Sequence, residues 1–342
     1  MIHVGVIGAG LIGYERLAAI RTLASRGKPV ALRGLYDTDS QRARTVATEF
    51  NTIAFASIDE LLATKPDWVI VAVAHDVAVP ITLKALEHGC SVLMEKPMGR
   101  DPIEARRLLD AGGARLKIGF NYRFFPGIRQ ALQDARNGVF GRMIGIDIIL
   151  GHGCQPGLET SWKLNFERSG GGCLIDPGVH LLDICLLLAP DTITVAGGNS
   201  WSGFWNTGIE EDVRLLLTSR DLTMSLHISI VHWRSTFEMQ IHGTDAYGIV
   251  SGRSRSYGSQ SYRIGPRWGW RSAPSQAVSE TLVSQSDGRE TFLLEIEAAL
   301  FPPSSTEVLW PAPCTAAEAF AVMNLLDGIR SHLDLPRFFP GS

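Results

Sequence analysis

The sequence predicts an α/β part with a doubly wound parallel sheet over residues 1–121. An α+β part with a large, mostly antiparallel open sheet should follow over 122–315. Two observations predict this. In the first third, short apolar runs alternate with stretches whose apolar residues recur at helical spacing, as expected of parallel strands covered on both faces by crossover helices. After about residue 122 the strand-like runs lengthen and apolar residues occupy every second position, as in strands with one buried face. A length of 342 residues suits two domains, and 45% hydrophobic against 20% charged residues supports packed cores.

Taken in order, residues 2–7 form a strand, a glycine-rich turn follows, and 11–24 form a helix with Leu17, Ile20 and Leu23 on one face. Residues 30–36 are a second strand, 57–64 a short helix ended by Pro66, and 68–73 a fully apolar strand. Residues 78–88 are helical with Gly89 just past the end, and 91–94 are a strand. Asp101-Pro102 opens the next helix with a capping side chain and a proline at the first helical position, where its missing N–H costs nothing. Residues 116–120 are the last strand of this part. Further on, Met224, Leu226, Ile228 and Ile230 face one way, Phe237, Met239 and Ile241 repeat the pattern, and Arg220-Asp221 marks a hairpin turn. Helices are expected at 178–188, 292–300 and 316–332, and the Gly-, Ser- and Arg-rich 251–275 reads as a long loop.

A net charge of −3 offers no electrostatic reason for a nucleic-acid or anionic-membrane partner. Apolar runs such as 69–74 fall far short of the roughly 20 residues that cross a bilayer. The chain enters a strand pattern directly, without the layout of a signal peptide, so a cytoplasmic protein is expected. Cys90, Cys154, Cys173, Cys185 and Cys314 are scattered and odd in number, which fits a reducing compartment better than a disulfide framework. His152, His227, His232 and His242 lack carboxylate or cysteine neighbours at ligand spacing, so no metal is expected.

Gly8-Ala9-Gly10-Leu11-Ile12-Gly13 is a G-x-G-x-x-G that follows a strand and opens a helix, the context that makes it a dinucleotide-binding (Rossmann) signal. The first glycine makes the tight turn, the second lets backbone approach a pyrophosphate, and the third lets helix and strand pack closely. The N–H groups at the helix start, around Leu11 and Ile12, face the phosphates. Asp37 ends the second strand, near the point about 20 residues on where an acidic residue holds the ribose hydroxyls and repels a 2′-phosphate. NAD is therefore favoured over NADP, with Arg33 and Arg42 as nearby cations that soften the preference. The alternative is that Asp37 opens the turn 37–39 and caps the next helix.

Two more motifs are read with their alternatives open. Glu95-Lys96-Pro97 follows a strand, so Lys96 is either at the carboxyl end of the sheet, where such sheets bind ligands, or an ordinary surface lysine. In Gly170-Gly171-Gly172-Cys173-Leu174-Ile175-Asp176-Pro177-Gly178-Val179-His180, Asp176 and His180 share one face if a helix begins there, with Asp183 a turn further. The three glycines let backbone and ligand come close. Otherwise Asp176 caps the helix and His180 is a helix residue in the core.

Together these motifs resemble the GFO/IDH/MocA oxidoreductase family, named after glucose–fructose oxidoreductase and inositol dehydrogenase. Ile118 to Pro126 resembles its crossover between domains, and Glu211-Asp212 and Ile241 to Ala246 resemble stations of its large sheet. The resemblance covers nearly the whole chain and is weakest over 251–290. It implies catalytic Lys96, Asp176 and His180, cofactor contacts from Ala74, His75, Glu95, Lys96 and Asn121, and substrate contacts from Tyr122, Arg123, Trp162 and Lys163. Lys163 reads equally well as a solvated charge. The helix at 316–332 is implied to pack back on the first domain. The family's Thr-Pro-x-x-x-His stretch is missing here, since Ala74 and Ala78 stand at the proline and histidine positions, which puts cofactor contacts in that loop in doubt.

The implied activity is NAD-dependent interconversion of a secondary alcohol and a ketone on a sugar, cyclitol or related polyol. Rival readings are a nucleotide-sugar or amino-sugar dehydrogenase, a redox-neutral elimination or glycosidic cleavage that regenerates NAD, and a non-catalytic dinucleotide sensor. The exposed face of the second sheet is expected to pair copies into a homodimer or homotetramer. Arg253, Arg255, Arg263, Arg267 and Arg271, interleaved with Tyr257, Tyr262, Trp268 and Trp270, suit either a subunit interface or an anionic substrate.

Overall fold

A computed structural model describes residues 1–189, 191–268, 280–286, 290–303 and 310–338. Internal contacts divide the chain into two compact units, Met1–Asn121 with Glu290–Met323, and Tyr122–Arg289 with Asn324–Ser342.

The first unit runs β1 (Ile2–Ile7), α1 (Leu11–Ser25), β2 (Val30–Tyr36), α2 (Ser40–Glu49), α3 (Ile58–Ala63), β3 (Trp68–Val71), α4 (His75–Glu87), β4 (Ser91–Glu95), α5 (Pro102–Gly112) and β5 (Leu116–Gly119). The strand order is β14-β5-β4-β3-β1-β2, where β14 is the short Cys314–Thr315. Neighbours β1 to β5 pair in parallel and β14 adds an antiparallel edge. Val4, Val6, Val69, Ile70, Val92 and Leu93 are fully buried, which explains the lack of polar alternation in these strands. Asp101 caps α5 as expected, its carboxylate accepting from the Glu104 N–H at 2.7 Å.

The expected boundary at residue 315 is corrected. Thr291–Leu300, here α9, belongs to the first unit and not to the second. Its Leu293, Ile296 and Leu300 join Leu17, Ile20 and Leu23 of α1 in one core. Helical periodicity shows that a helix buries a face, but not which partner covers it. The final helix, α10 (Ala316–His332), is divided: its residues up to Met323 group with the first unit and those from Asn324 with the second.

The second unit contains α6 (Pro126–Arg136), β6 (Met143–Gly151), α7 (Phe166–Ser169), α8 (Val179–Leu188), β7 (Thr194–Trp201), β8 (Asp212–Ser219), β9 (Leu222–Ser229), β10 (Thr236–Gly243), β11 (Ala246–Ser251), β12 (Gln260–Pro266) and β13 (Thr281–Ser286). Its sheet has the order β13-β12-β11-β10-β6-β9-β8-β7 and is antiparallel except between β6 and β9. Ile146, Ile148, Leu150, Met224, Leu226, Ile228, Phe237, Met239 and Ile241 are buried, while Ile149 and Leu216 on the opposite face are exposed. Arg220-Asp221 is the two-residue turn between β8 and β9, with Arg220 at φ +51°.

Two expectations fail here. Residues 251–275 are not one long loop, since β12 pairs with both β11 and β13; 269–275 lie outside the described residues. The strand was hidden because its inward residues include polar ones. Gln260 Oε1 accepts from the Gly127 N–H at 2.6 Å and the Tyr262 hydroxyl donates to Asp134 at 2.8 Å, so both are buried with partners. The expectation that no apolar stretch has membrane-spanning length also fails. Phe166–Leu188 is long and apolar enough by length and composition, but 83% of its most apolar 18-residue part is buried within the fold.

Candidate functional site

In the first unit, the glycine-rich turn joins β1 to α1. Gly8 has φ +96°, and a Cβ there would lie 2.2 Å from the Ala72 carbonyl oxygen; at Gly13 it would lie 1.9 Å from the Gly8 oxygen. Only glycine fits either place. Gly10 differs, because a Cβ there would meet nothing within 4 Å. Its openness is what a pyrophosphate against bare backbone requires, so the turn fits the cofactor. No side chain caps α1, and its first internal bond is from the Tyr14 N–H to the Gly10 oxygen, which leaves the N–H groups of Leu11, Ile12 and Gly13 at the helix start to hold phosphate.

Asp37 braces this turn. One carboxylate oxygen accepts from the Ala9 N–H at 2.7 Å and the other from the Asp39 N–H at 2.8 Å. It does not cap α2, a role taken by Asp39, which accepts from Gln41 and Arg42. Ala74 is the uncapped residue before α4, and His75 is buried in that helix's first turn.

Glu95 ends β4, and a cis peptide links the next residue, Lys96, to Pro97. The Glu95 carboxylate pairs with Arg16 at 2.6 Å, and Arg16 pairs with Glu295 of α9 at 2.6 Å. Arg16 and Glu295 are fully buried. Burial opposes the Arg16 charge, but the Glu295 and Glu95 carboxylates outweigh it and hold its pKa above the usual value. Sequence reading missed Arg16 and Glu295, because a charged residue on a helix reads as a wet face. Asn121 is also committed, its Nδ2 donating to the Thr291 hydroxyl at 3.2 Å.

In the second unit, Asp176 and His180 do not share a helix face. Leu174–Gly178 is a π-type turn in which Asp176 is extended, φ −143° and ψ 99°, and α8 begins only at Val179. A residue before proline is driven from helical geometry, and Pro177 follows Asp176. Asp176 does not cap α8 either. Its carboxylate pairs with Lys163 at 2.9 Å, which raises the Lys163 pKa. Trp162 and Lys163 lie together in the short helical turn Trp162–Leu164.

The glycines at 171 and 172 have another use than expected. A Cβ at Gly172 would lie 1.9 Å from the Glu210 carbonyl oxygen, and one at Gly171 would lie 2.1 Å from an Arg330 nitrogen. They make room for Glu210 and Arg330, not for a ligand. Glu210 Oε1 accepts from the Gly172 N–H at 2.9 Å, and Arg330 donates to the Gly170 oxygen.

The His180 ring is 4% exposed and stacks on Tyr122 at 3.9 Å between centroids, with an interplanar angle of 10°. Tyr122, expected at the substrate, is a buried support for His180. Arg123 is corrected more firmly. It is 1% exposed and forms a two-pronged pair with Asp183, at 2.7 and 2.5 Å, so its guanidinium is tied into the core.

Around this stack lie Arg253 and Tyr257, which the sequence suits to either a subunit interface or an anionic substrate, and His152 and Cys154, to which it gave no role in the site. Arg253 lies over the Tyr257 ring at 4.2 Å and over Tyr122 at 5.0 Å. The Cys154 sulfur is 3.1 Å from His152 Nδ1. Burial lowers the His152 pKa, partly offset by Asp176, and pushes the Cys154 thiol up to about 11. His152 directly follows β6, and Arg253 lies two residues past the end of β11. Clustering of titratable residues just past strand ends was the available signal. Among the described residues, no group of three or more His, Cys, Asp or Glu is gathered as a metal ion would need.

The turn, the uncapped helix and the braced carboxylate define a dinucleotide-binding α/β unit. Residues 2–117 match the family model described as "Oxidoreductase family, NAD-binding Rossmann fold", and 128–247 match the GFO/IDH/MocA C-terminal domain. The chain belongs to the GFO/IDH/MocA oxidoreductase family. It is 28% identical over 358 residues to the 2,7-anhydro-N-acetylneuraminate hydratase of Escherichia coli, a match covering 98% of this chain and 89% of that protein. It is 31% identical over 192 residues to the D-glucoside 3-dehydrogenase of the same organism, covering 54% of this chain and 53% of the relative. The match thus spans from about half to nine tenths of these relatives' own length. Its fold resembles a levoglucosan dehydrogenase in complex with NADH and levoglucosan, at TM-score 0.83 and 16% identity, over 97% of each chain.

Proposed function

We propose that this chain interconverts a secondary alcohol and a ketone on a sugar, cyclitol or related polyol, with NAD as hydride acceptor and Lys96, Asp176 and His180 as its catalytic residues. The single observation that carries the reading is the His180 ring, fixed by stacking on Tyr122 in a unit where Asp176 is held by Lys163. Bound NAD supplies the hydride chemistry, and the turn at Gly8 to Gly13 with Asp37 holds it. His180 takes the hydroxyl proton as the carbon is oxidised. Lys96 donates to the substrate oxygen and stabilises its developing charge. Asp176 holds a substrate hydroxyl or tunes the other two. Support comes from the family membership and from relatives named as sugar dehydrogenases.

The test is turnover of Lys96→Ala, expected to fall more than ~100-fold while NAD binding persists. A near-normal rate would sink the assignment. A second reading is favoured by the relative named a hydratase, whose match covers 98% of this chain. There the substrate carbon is oxidised transiently and the cofactor regenerated. Product formed with no net reduced nicotinamide would select it. A preference for NAD over NADP is proposed from Asp37, whose carboxylate would repel a 2′-phosphate. The exposed face of the eight-stranded sheet is proposed to pair with a second copy.

A further inference from the structure

Arg253 has an unusual setting. Its guanidinium carbon lies 4.2 Å from the Tyr257 ring centroid and 5.0 Å from that of Tyr122, and Tyr122 stacks on His180 at 3.9 Å. Tyr257 and Tyr122 thus hold the guanidinium, and the same Tyr122 holds the histidine. Among the described residues no carboxylate pairs with Arg253, and its Nε–H is buried with no hydrogen-bond acceptor. Buried donors in native proteins find a partner in protein, water or ligand.

The local charge is unbalanced in the same direction. Asp176 acts on both Tyr122 and Tyr257, as Arg253 does. But Asp176 is already neutralised by Lys163 at 2.9 Å. Arg253 is left as a positive charge that no acidic side chain answers among the described residues. One guanidinium N–H is given to the Tyr257 hydroxyl, and the N–H groups that remain can match the oxygens of a carboxylate or phosphate.

We infer that Arg253 determines substrate specificity by binding an anionic oxygen group, carboxylate or phosphate, carried by the sugar. This rests on the reading that a sugar is turned over at His180, and it narrows the substrate class to acidic sugars. A purely structural Arg253 would steady Tyr122 and His180 but would not discriminate ligands by charge.

The experiment is calorimetric titration of the NADH-bound protein with two matched pairs: D-glucuronate and its neutral methyl ester, and D-glucose 6-phosphate and D-glucose. At least one anion is expected to bind ten times more tightly than its neutral partner, and which pair shows the difference identifies the oxyanion. Arg253→Gln should abolish that difference while leaving the neutral ligands within about twofold, and Arg253→Lys should restore part of it. Equal affinity within both pairs in the unmodified protein overturns the inference without need of any variant. So does a preference that survives Arg253→Gln, or binding by none of the four at millimolar concentration. The broader reading is scored apart, by NADH binding and by sugar-dependent change in nicotinamide absorbance. Neutral sugars turned over without charge preference would remove the inference and keep the oxidoreductase reading.

Discussion

The carboxylate of Asp183 and the guanidinium of Arg123 are each 1% exposed, so neither has water to fall back on. Asp183→Ala strands a buried positive charge and should cost about 3–5 kcal/mol in urea unfolding. Asp191→Ala breaks the exposed pair with Arg220 and should cost less than about 1 kcal/mol. His152 gives a pH dependence. Burial lowers its pKa, so the folded state binds fewer protons than the unfolded chain. Its contribution is full above the unfolded value near 6.5 and is lost as pH falls below that value and through the lowered folded one. His152→Gln should therefore lessen the drop in urea midpoint between about pH 7.5 and about pH 5. Cys154, held as a thiol by burial with a pKa of about 11, should react with iodoacetamide at neutral pH much more slowly than an exposed cysteine.

At the scale of elements, two glycines separate binding from folding. Gly10 precedes α1 with φ −70° and open space where a side chain would stand. Gly10→Ala should melt within a few degrees of the parent without cofactor, yet lose most of the stabilisation by NADH. That stabilisation is about 2.7 kcal/mol in the parent at a hundredfold excess over Kd. Gly172 lies before the π-type turn, where a Cβ would meet the Glu210 backbone. Gly172→Ala should destabilise the protein by about 1–3 kcal/mol. Equal melting of the two variants would refute this division. The contrast was half legible in the sequence. G-x-G-x-x-G carries its meaning locally through strand, turn and helix, whereas Gly171 and Gly172 answer to Arg330 and Glu210, which are distant in the chain.

For the whole molecule, the eight-stranded sheet leaves Ile149 and Leu216 exposed on one face. If a second copy covers that face, light scattering should give at least twice the 37.3 kDa chain mass, and a double Ile149→Lys, Leu216→Lys variant should shift it toward the monomer. An unchanged mass in the variant would place the interface elsewhere. The two units also interleave along the chain, because α9 returns to the first unit after the second sheet is complete. Arg16 joins α1, β4 and α9 through Glu95 and Glu295, so the strand end that carries Lys96 is braced by a segment almost 200 residues away.

By itself, the sequence determined what periodicity and local chemistry can encode. The parallel and antiparallel sheets, the dinucleotide turn, the Arg220-Asp221 hairpin and the three long helices from α8 onward all follow from residues close together in the chain. The tertiary structure alone decided partnership. It tied Arg123 into the core with Asp183, gave the glycines at 171 and 172 to Arg330 and Glu210, moved α9 to the first unit, and set Arg253 between Tyr257 and the tyrosine that supports His180. The physical reason is that a side chain's identity specifies what partner it needs, while only the folded chain specifies which group is near enough to meet that need.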